Sequence, residues 1–318
     1  MARRSPTKVV GSRLLQALPV ILLATFMVFS LLKLLPGDIA VTLAGENATD
    51  TRIAEIRTIY GLDRPFLMQY GAWLANAVQG DLSQSLLSGE KVAVSIARAF
   101  PNTLLIVVIA LVMALATGIP LGIVAAVKPN GFVDKFVGII ASLGVAIPGF
   151  WLAMILVAEI SLKLNWLPAT GAKPFSVSPL EAIRHAVLPA IAVAAYGMAE
   201  VARQLRGSLL EVLSSQYVRT LHAKGLSMSR ILWQHGLKNV GVNLFTIISL
   251  LVNRMLAATV VVEAVFAIPG MGSLIVRGAL QRDFPIVQGV VFAMVIVVIL
   301  VNLVADLLCA AVDPRIEQ

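Results

Sequence analysis

Six apolar runs divide the chain, each long enough to cross a hydrocarbon layer of about 30 Å as a helix rising about 1.5 Å per residue. They fall at 14–35, 102–127, 136–162, 186–202, 240–266 and 286–312. The second contains no charged residue, whereas the fourth is short for a span and carries Pro189, Gly197 and Glu200. The first is too long for the apolar centre of a signal peptide and has no small-residue cleavage site after it, so it is expected to stay attached. Gly118, Pro120 and Gly122 in the second run and Pro148-Gly149 in the third allow either kinks or close helix packing.

The polar stretches differ in kind. Residues 36–101 carry Tyr60, Phe66, Tyr70 and Trp73, which argue for a small folded cap rather than a slack linker, with helices at 51–59 and 65–78 and Pro65 near a first helical position. The stretch 267–285 is apolar but short and glycine-containing, so it is expected to dip into the membrane or lie along its surface. In 203–239, Val201, Leu205, Leu209, Val212 and Leu213 keep helical spacing and prolong the fourth run. Ser214, Ser215 and Gln216 interrupt that helix; 217–224 forms a second one, stopped by Gly225 at a left-handed cap. Ser227 caps a third, through about Leu237. The loop holds six basic residues and one acidic residue, a balance that suits docking on a protein or an anionic lipid surface, or a solvated linker.

Composition narrows the class. Of 318 residues, 58% are hydrophobic and 13% charged, too few charges to clothe a soluble protein of this size. The net charge of +8 does not suggest nucleic acid, because the basic residues flank apolar runs instead of lining an aromatic-containing groove. They read as a topological signal. With both termini on one side, the segments on that side hold thirteen basic residues: Arg3, Arg4, Lys8, Arg13, Lys128, Lys135, Arg203, Arg206, Arg219, Lys224, Arg230, Lys238 and Arg315. The opposite short loops hold five, and 36–101 holds seven acids against five bases. The positive-inside rule therefore expects cytoplasmic termini (1–13 and 313–318), a cytoplasmic 203–239 loop and an external 36–101 cap. The lone Cys309, inside an apolar run, says little about redox compartment.

Candidate chemistry is sparse. No GxxxxGK[ST] phosphate loop occurs, and Gly270 with Gly272 makes only a GxG fragment that reads as a turn. His185, His222 and His235 have no cysteine or paired carboxylate at ligand spacing, and neither HExxH nor GxSxG is present. Arg254 is the conspicuous charge, near the middle of the fifth run. Glu263 stands nine positions later, on the opposite helix face and about 13 Å along the axis, so the two cannot pair. Arg254 must therefore face water or a partner: it lines a pathway and meets an anionic group of a cargo, or it pairs with a second subunit. Glu263 near the external end reads as a structural acid.

The stretch Tyr217, Val218, Arg219, Thr220, Leu221, His222, Ala223, Lys224, Gly225 and Leu226 resembles the cytoplasmic "EAA" loop of bacterial ABC importer permeases of the dipeptide, oligopeptide and nickel family, from which Leu221 and His222 depart. Leu35-Pro-Gly-Asp38, Tyr60-Gly-Leu-Asp-Arg-Pro65, Gly80-Asp-Leu82, the run Glu263 to Gly272 containing Pro269 and Gly270, Arg282-Asp283-Phe-Pro285, Val301 to Asp306, and Asp313-Pro-Arg315 are similar to that family in the same order. The resemblance implies an all-α polytopic protein of the type I ABC importer permease fold, the first permease of a pair, with six spans, a cap and a cytoplasmic coupling helix. It implies a second homologous permease, two ABC ATPase subunits carrying ATP and Mg²⁺, an extracytoplasmic substrate-binding protein, and a bacterial plasma membrane. In it, 217–226 grips the ATPases, with Val218 and Leu221 inserting, Arg219 and Lys224 orienting and Gly225 turning. Glu263, Pro269, Gly270, Gly272 and Asp283 become candidates for an outer gate or its support. This chain is expected to bind no cofactor and to catalyse nothing. A secondary transporter, which needs ion sites at mid-membrane, and an intramembrane enzyme, which needs a polar cluster, are the rival readings.

Overall fold

The computed structural model describes residues 6–34, 39–44, 48–59 and 61–312. The motif residues 35–38, Tyr60 and 313–315, together with Arg3 and Arg4, lie outside the described residues. In hydrocarbon a backbone must satisfy its hydrogen bonds internally, and each apolar run is accordingly helical. Among the described residues extended pairing is limited to one isolated bridge, Gln84 to Lys91.

Helix α1 spans Pro6–Leu34, α2 Ile39–Ala44, α3 Asp50–Ile59, α4 Phe66–Val78, α5 Val92–Val127, α6 Phe132–Ala146 and α7 Gly149–Leu156, prolonged by a wide π turn at Val157–Lys163. Then follow α8 Pro179–Leu213, α9 Gln216–Ala223, α10 Met228–Ile231, a second π segment Leu232–Gly236, α11 Leu237–Val265, α12 Met271–Leu280 and α13 Phe284–Val312. Among the described residues five helices are long and apolar enough to span a membrane, or six if α6 and α7 count as one broken span.

The broken span falls in the apolar run 136–162, at the Pro148-Gly149 pair. The chain turns by 95° between α6 and α7. Pro148 has no N–H to give and crowds the residue before it, so Ile147 is extended (φ −79°, ψ 119°) and the helix restarts at Gly149. The fourth run is also larger than its apolar centre. Helix α8 has 35 residues, about 50 Å at 1.5 Å per residue, so it reaches well past both ends of 186–202. Helix α5 begins ten residues before its apolar run, at Val92, and continues through Pro120.

The chain divides into two compact units. One comprises Met1–Val10, Asn102–Pro269 and Leu300–Gln318; the other comprises Gly11–Pro101 and Gly270–Ile299.

The first unit is organised around α8. Its buried residues are mostly small, including Ala186, Ala190, Ala194, Ala199 and Ala202, so neighbouring backbones come close. A Cβ on Gly118 of α5 would lie 2.8 Å from the Met198 carbonyl oxygen, and one on Gly122 would lie 2.9 Å from that of Ala202. Close packing is therefore what these glycines provide, and α5 does not break there. A salt bridge closes the end of this packing: Arg206 of α8 donates through Nε and Nη2 to Asp134 of α6, the latter at 2.7 Å. Asp134 also accepts from the Asn130 amide at 2.8 Å, fixing the turn between α5 and α6.

In the second unit the aromatic residues of the expected cap pack against the span instead of forming a body of their own. Phe66 and Tyr70 of α4 meet Phe26 and Phe29 of α1 edge to face, with ring centroids 5.4 to 5.6 Å apart. Tyr70 also donates its hydroxyl to the Leu22 carbonyl at 3.1 Å. Pro65 is the N-cap of α4, which begins at Phe66, one position after the expected start. A second cluster joins Val92 and Ala99 of α5 with Met271, Ile286 and Val290. The stretch 267–285 contains α12, launched at Gly270, whose amide donates to Ser273 Oγ at 3.0 Å.

Candidate functional site

The polar knob between α8 and α11 is built by capping chemistry. Helix α8 stops at Leu213, and Ser215 takes the N-cap of α9, its hydroxyl accepting from the Val218 amide at 3.4 Å and donating to the Val212 carbonyl at 2.7 Å. Gly225 has φ +80°, a conformation that costs a residue with a Cβ about 1 kcal/mol or more, and the chain reverses there. Ser227 then caps α10 by accepting from the Arg230 amide. The π segment 232–236 carries α10 directly into α11, so the third helix does not end near Leu237.

The knob is tied back to its own stem. Tyr217 and His235 share a hydrogen bond of 2.8 Å, with their rings edge to face at 5.8 Å. Val218 is 2% exposed and so belongs to the interior of this chain. That corrects the expectation that Val218 inserts into a neighbour: its methyl groups already have an apolar environment here. Leu221 and Leu226 are half-buried, whereas Tyr217, Arg219, Thr220, His222, Ala223, Lys224 and Gly225 are exposed. The outward face is thus basic and polar with one aromatic ring, on a short helix held at both ends.

Arg254 lies in α11, within the apolar segment Asn243–Val265, eleven residues from each of its ends. Its guanidinium donates to the Tyr196 hydroxyl of α8 and stands 5.5 Å from that ring's centroid. Both residues line a cavity bounded by the α6–α7 bend, α8 and α11.

Glu263, expected at an interface, is 0% exposed, and its carboxylate accepts from Thr103 Oγ1 at 2.5 Å. Its carbonyl accepts from Ile268 N at 2.9 Å, and the Pro269 carbonyl accepts from Asn102 Nδ2 at 2.9 Å. The motif therefore fastens the end of α11 to Asn102 and Thr103. Asp283 is 4% exposed and takes hydrogen bonds from Ser85 Oγ and, at 3.1 Å, from the Leu86 amide. Met271 and Gly272 are buried at the start of α12. Just before α5, Glu90 accepts hydrogen bonds from Ser95 and Arg98 of that helix, and these, the serine first, hold its carboxyl below the usual value.

Sequence spacing could not reveal Asp134–Arg206, Tyr217–His235, Thr103–Glu263 or Arg254–Tyr196, which join separate stretches of the chain. The one local signal was Asp134 in the first turn of a helix after Pro129-Asn-Gly131, a pattern suited to capping a turn.

Helices long and apolar enough to cross a membrane, one of them broken, are those of a multi-pass membrane protein. The chain belongs to the family of binding-protein-dependent transport system inner membrane components, the membrane-spanning permease subunits of ABC importers: the family model matches 118–318, and the model of its N-terminal part matches 7–110. It is 37% identical over 305 residues to the glutathione transport system permease protein GsiC of Escherichia coli, covering 96% of this chain and 97% of that one. It is 35% identical over 308 residues to the oligopeptide transport system permease protein AppB of Bacillus subtilis (96% and 98% covered). It is also 34% identical over 325 residues to the dipeptide transport system permease protein DppB of Alkalihalophilus pseudofirmus (96% and 98% covered). Among solved structures, the inward-facing MetNI methionine ABC transporter has a similar fold, with a TM-score of 0.57 at 17% identity over 69% of this chain and 96% of that one.

Proposed function

We propose that this permease forms half of a peptide translocation pathway and is driven through α9 by separate nucleotide-hydrolysing subunits. The observation that carries the reading is the anchored knob: a helix held to its stem by Ser215, Val218 and the Tyr217–His235 bond moves with α8 and α11 as one body. Arg219 and Lys224 give a motor subunit charges to hold, Tyr217 and the half-buried Leu221 give it apolar contact, and Gly225 keeps the turn tight. Thr220, Ala223 and Leu226 complete the surface.

The pathway's other half is a second homologous permease, and a binding protein outside the membrane delivers the cargo. The distribution of basic residues supports cytoplasmic termini and a cytoplasmic α9 in a bacterial cell, with the 36–101 segment outside. ATP and Mg²⁺ belong to the motor subunits; this chain holds no nucleotide and does no chemistry. Peptide cargo is supported by the names of the relatives, which transport glutathione, dipeptides and oligopeptides. Glu263, Pro269, Gly270, Gly272 and Asp283 support the external end of the pathway by fastening α11, α12 and α13 within their own units.

The test is uncoupling. In the reconstituted assembly, Gly225→Pro and Arg219→Glu are expected to leave membrane insertion intact while uptake falls at least about tenfold, the effect of about 1.4 kcal/mol of lost coupling. Uptake at the wild-type rate by both variants rules the mechanism out.

A further inference from the structure

Resting on the peptide reading above, we infer that Arg254 and Tyr196 form a carboxylate-selective subsite inside the translocation pathway, which receives the free C-terminal carboxylate of a passing peptide. A guanidinium at mid-span is expensive in lipid, by roughly 3 kcal/mol on insertion scales, and must find an anion or water. Among the described residues no carboxylate lies within ion-pair distance of Arg254; its one polar partner is the phenol of Tyr196. That phenol is neutral, so it holds the guanidinium in place without cancelling its charge. The planar fork has donors to spare for a two-oxygen acceptor.

The surroundings suit such a guest. The cavity has a volume of about 320 Å³ and is otherwise walled by apolar groups such as Pro148, Phe150, Leu251 and Val262. Ion pairs are stronger among such groups than in water, while the walls accept apolar peptide side chains without selecting among them. Ile147, Pro148 and Phe150, at the 95° bend between α6 and α7, form one side of this space. One fixed charge in an apolar chamber recognises what all free peptides share.

The complete assembly, with second permease, motor subunits and binding protein, is reconstituted in vesicles and offered a library of free dipeptides or the same library with amidated C-termini, uptake being read by mass spectrometry. Arg254→Gln is expected to lower uptake of free dipeptides by about tenfold, from the loss of a charged hydrogen bond. Amidated dipeptides are expected to change by less than about twofold, and Arg254→Lys to recover most of the loss. Where the binding protein delivers no amide, the lysine variant decides: recovery supports the subsite, and a loss equal to that of glutamine overturns it. Equal loss in both libraries, an unchanged ratio, or failure of Arg254→Gln to copurify with the second permease also overturns it, the last by assigning Arg254 to a subunit contact. Absence of ATP-driven dipeptide uptake by the wild type overturns the peptide reading itself, whereas normal wild-type uptake with an indifferent Arg254 overturns only the subsite.

Discussion

Asp134 and Glu263, two carboxylates removed from water, are satisfied in different ways. Asp134 has a charged partner in Arg206 and a backbone donor in Asn130, so its alanine variant loses several hydrogen bonds together. Because the Arg206 side chain keeps 33% of its surface exposed, the full penalty of a buried unpaired charge does not apply. Asp134→Ala is expected to destabilise the protein by about 2 kcal/mol, read as a lower thermal midpoint in detergent. Glu263 binds the Thr103 hydroxyl at 2.5 Å, and a glutamine oxygen can take that place. Glu263→Gln is therefore expected to cost less than Glu263→Ala, which removes the carboxylate end of the bond to Thr103 altogether. Equal midpoints for the two variants would remove this bond from the account.

Among the elements, α8 shows how lipid and protein differ as solvents. Of its most apolar window, 61% is buried inside the chain, against 6% for α13. A helix solvated by other helices can hold Glu200 paired to Arg203, Pro189, and many alanines; Pro189, Gly197 and Glu200 made its short run look weakest in the sequence. Its packing against α5 depends on bare backbone. Gly118→Ala is expected to cost about 1 to 3 kcal/mol by forcing the two helices apart, whereas Gly138→Ala, with open space around it, is expected to change the midpoint little. The helices themselves were legible in the sequence because apolar length alone dictates them. The caps at Gly225 and Ser227 were legible too, since their chemistry is local, whereas Ser215 was visible only as part of an interruption. The bend at Pro148 was visible as a weak point, though its 95° angle was not, and pairs such as Tyr217–His235 depend on a fold that no spacing encodes. Val218 was misjudged for the same reason: one apolar residue on a short helix looks alike whether its neighbour belongs to this chain or to another.

For the whole molecule, the distribution of basic residues leads us to expect α9 in the cytoplasm and the 80–91 loop outside. In a Cys309→Ser background, a cysteine at Ser88 is expected to react with an impermeant maleimide in intact cells, and one at Lys224 only after permeabilisation. Reaction of both from outside would contradict that topology. The exposed Leu300, Val304 and Leu308 of α13 suit lipid or a second permease, so this chain is expected to act only within a larger assembly. The central claim is that α9 is held by a separate motor. A photoreactive amino acid at position 224, activated in native membranes, tests it most directly: the account predicts an adduct with a nucleotide-hydrolysing subunit, lost when Gly225→Pro distorts the turn. Adducts with lipid alone, or ATP-independent filling of vesicles by this chain without companions, would contradict it.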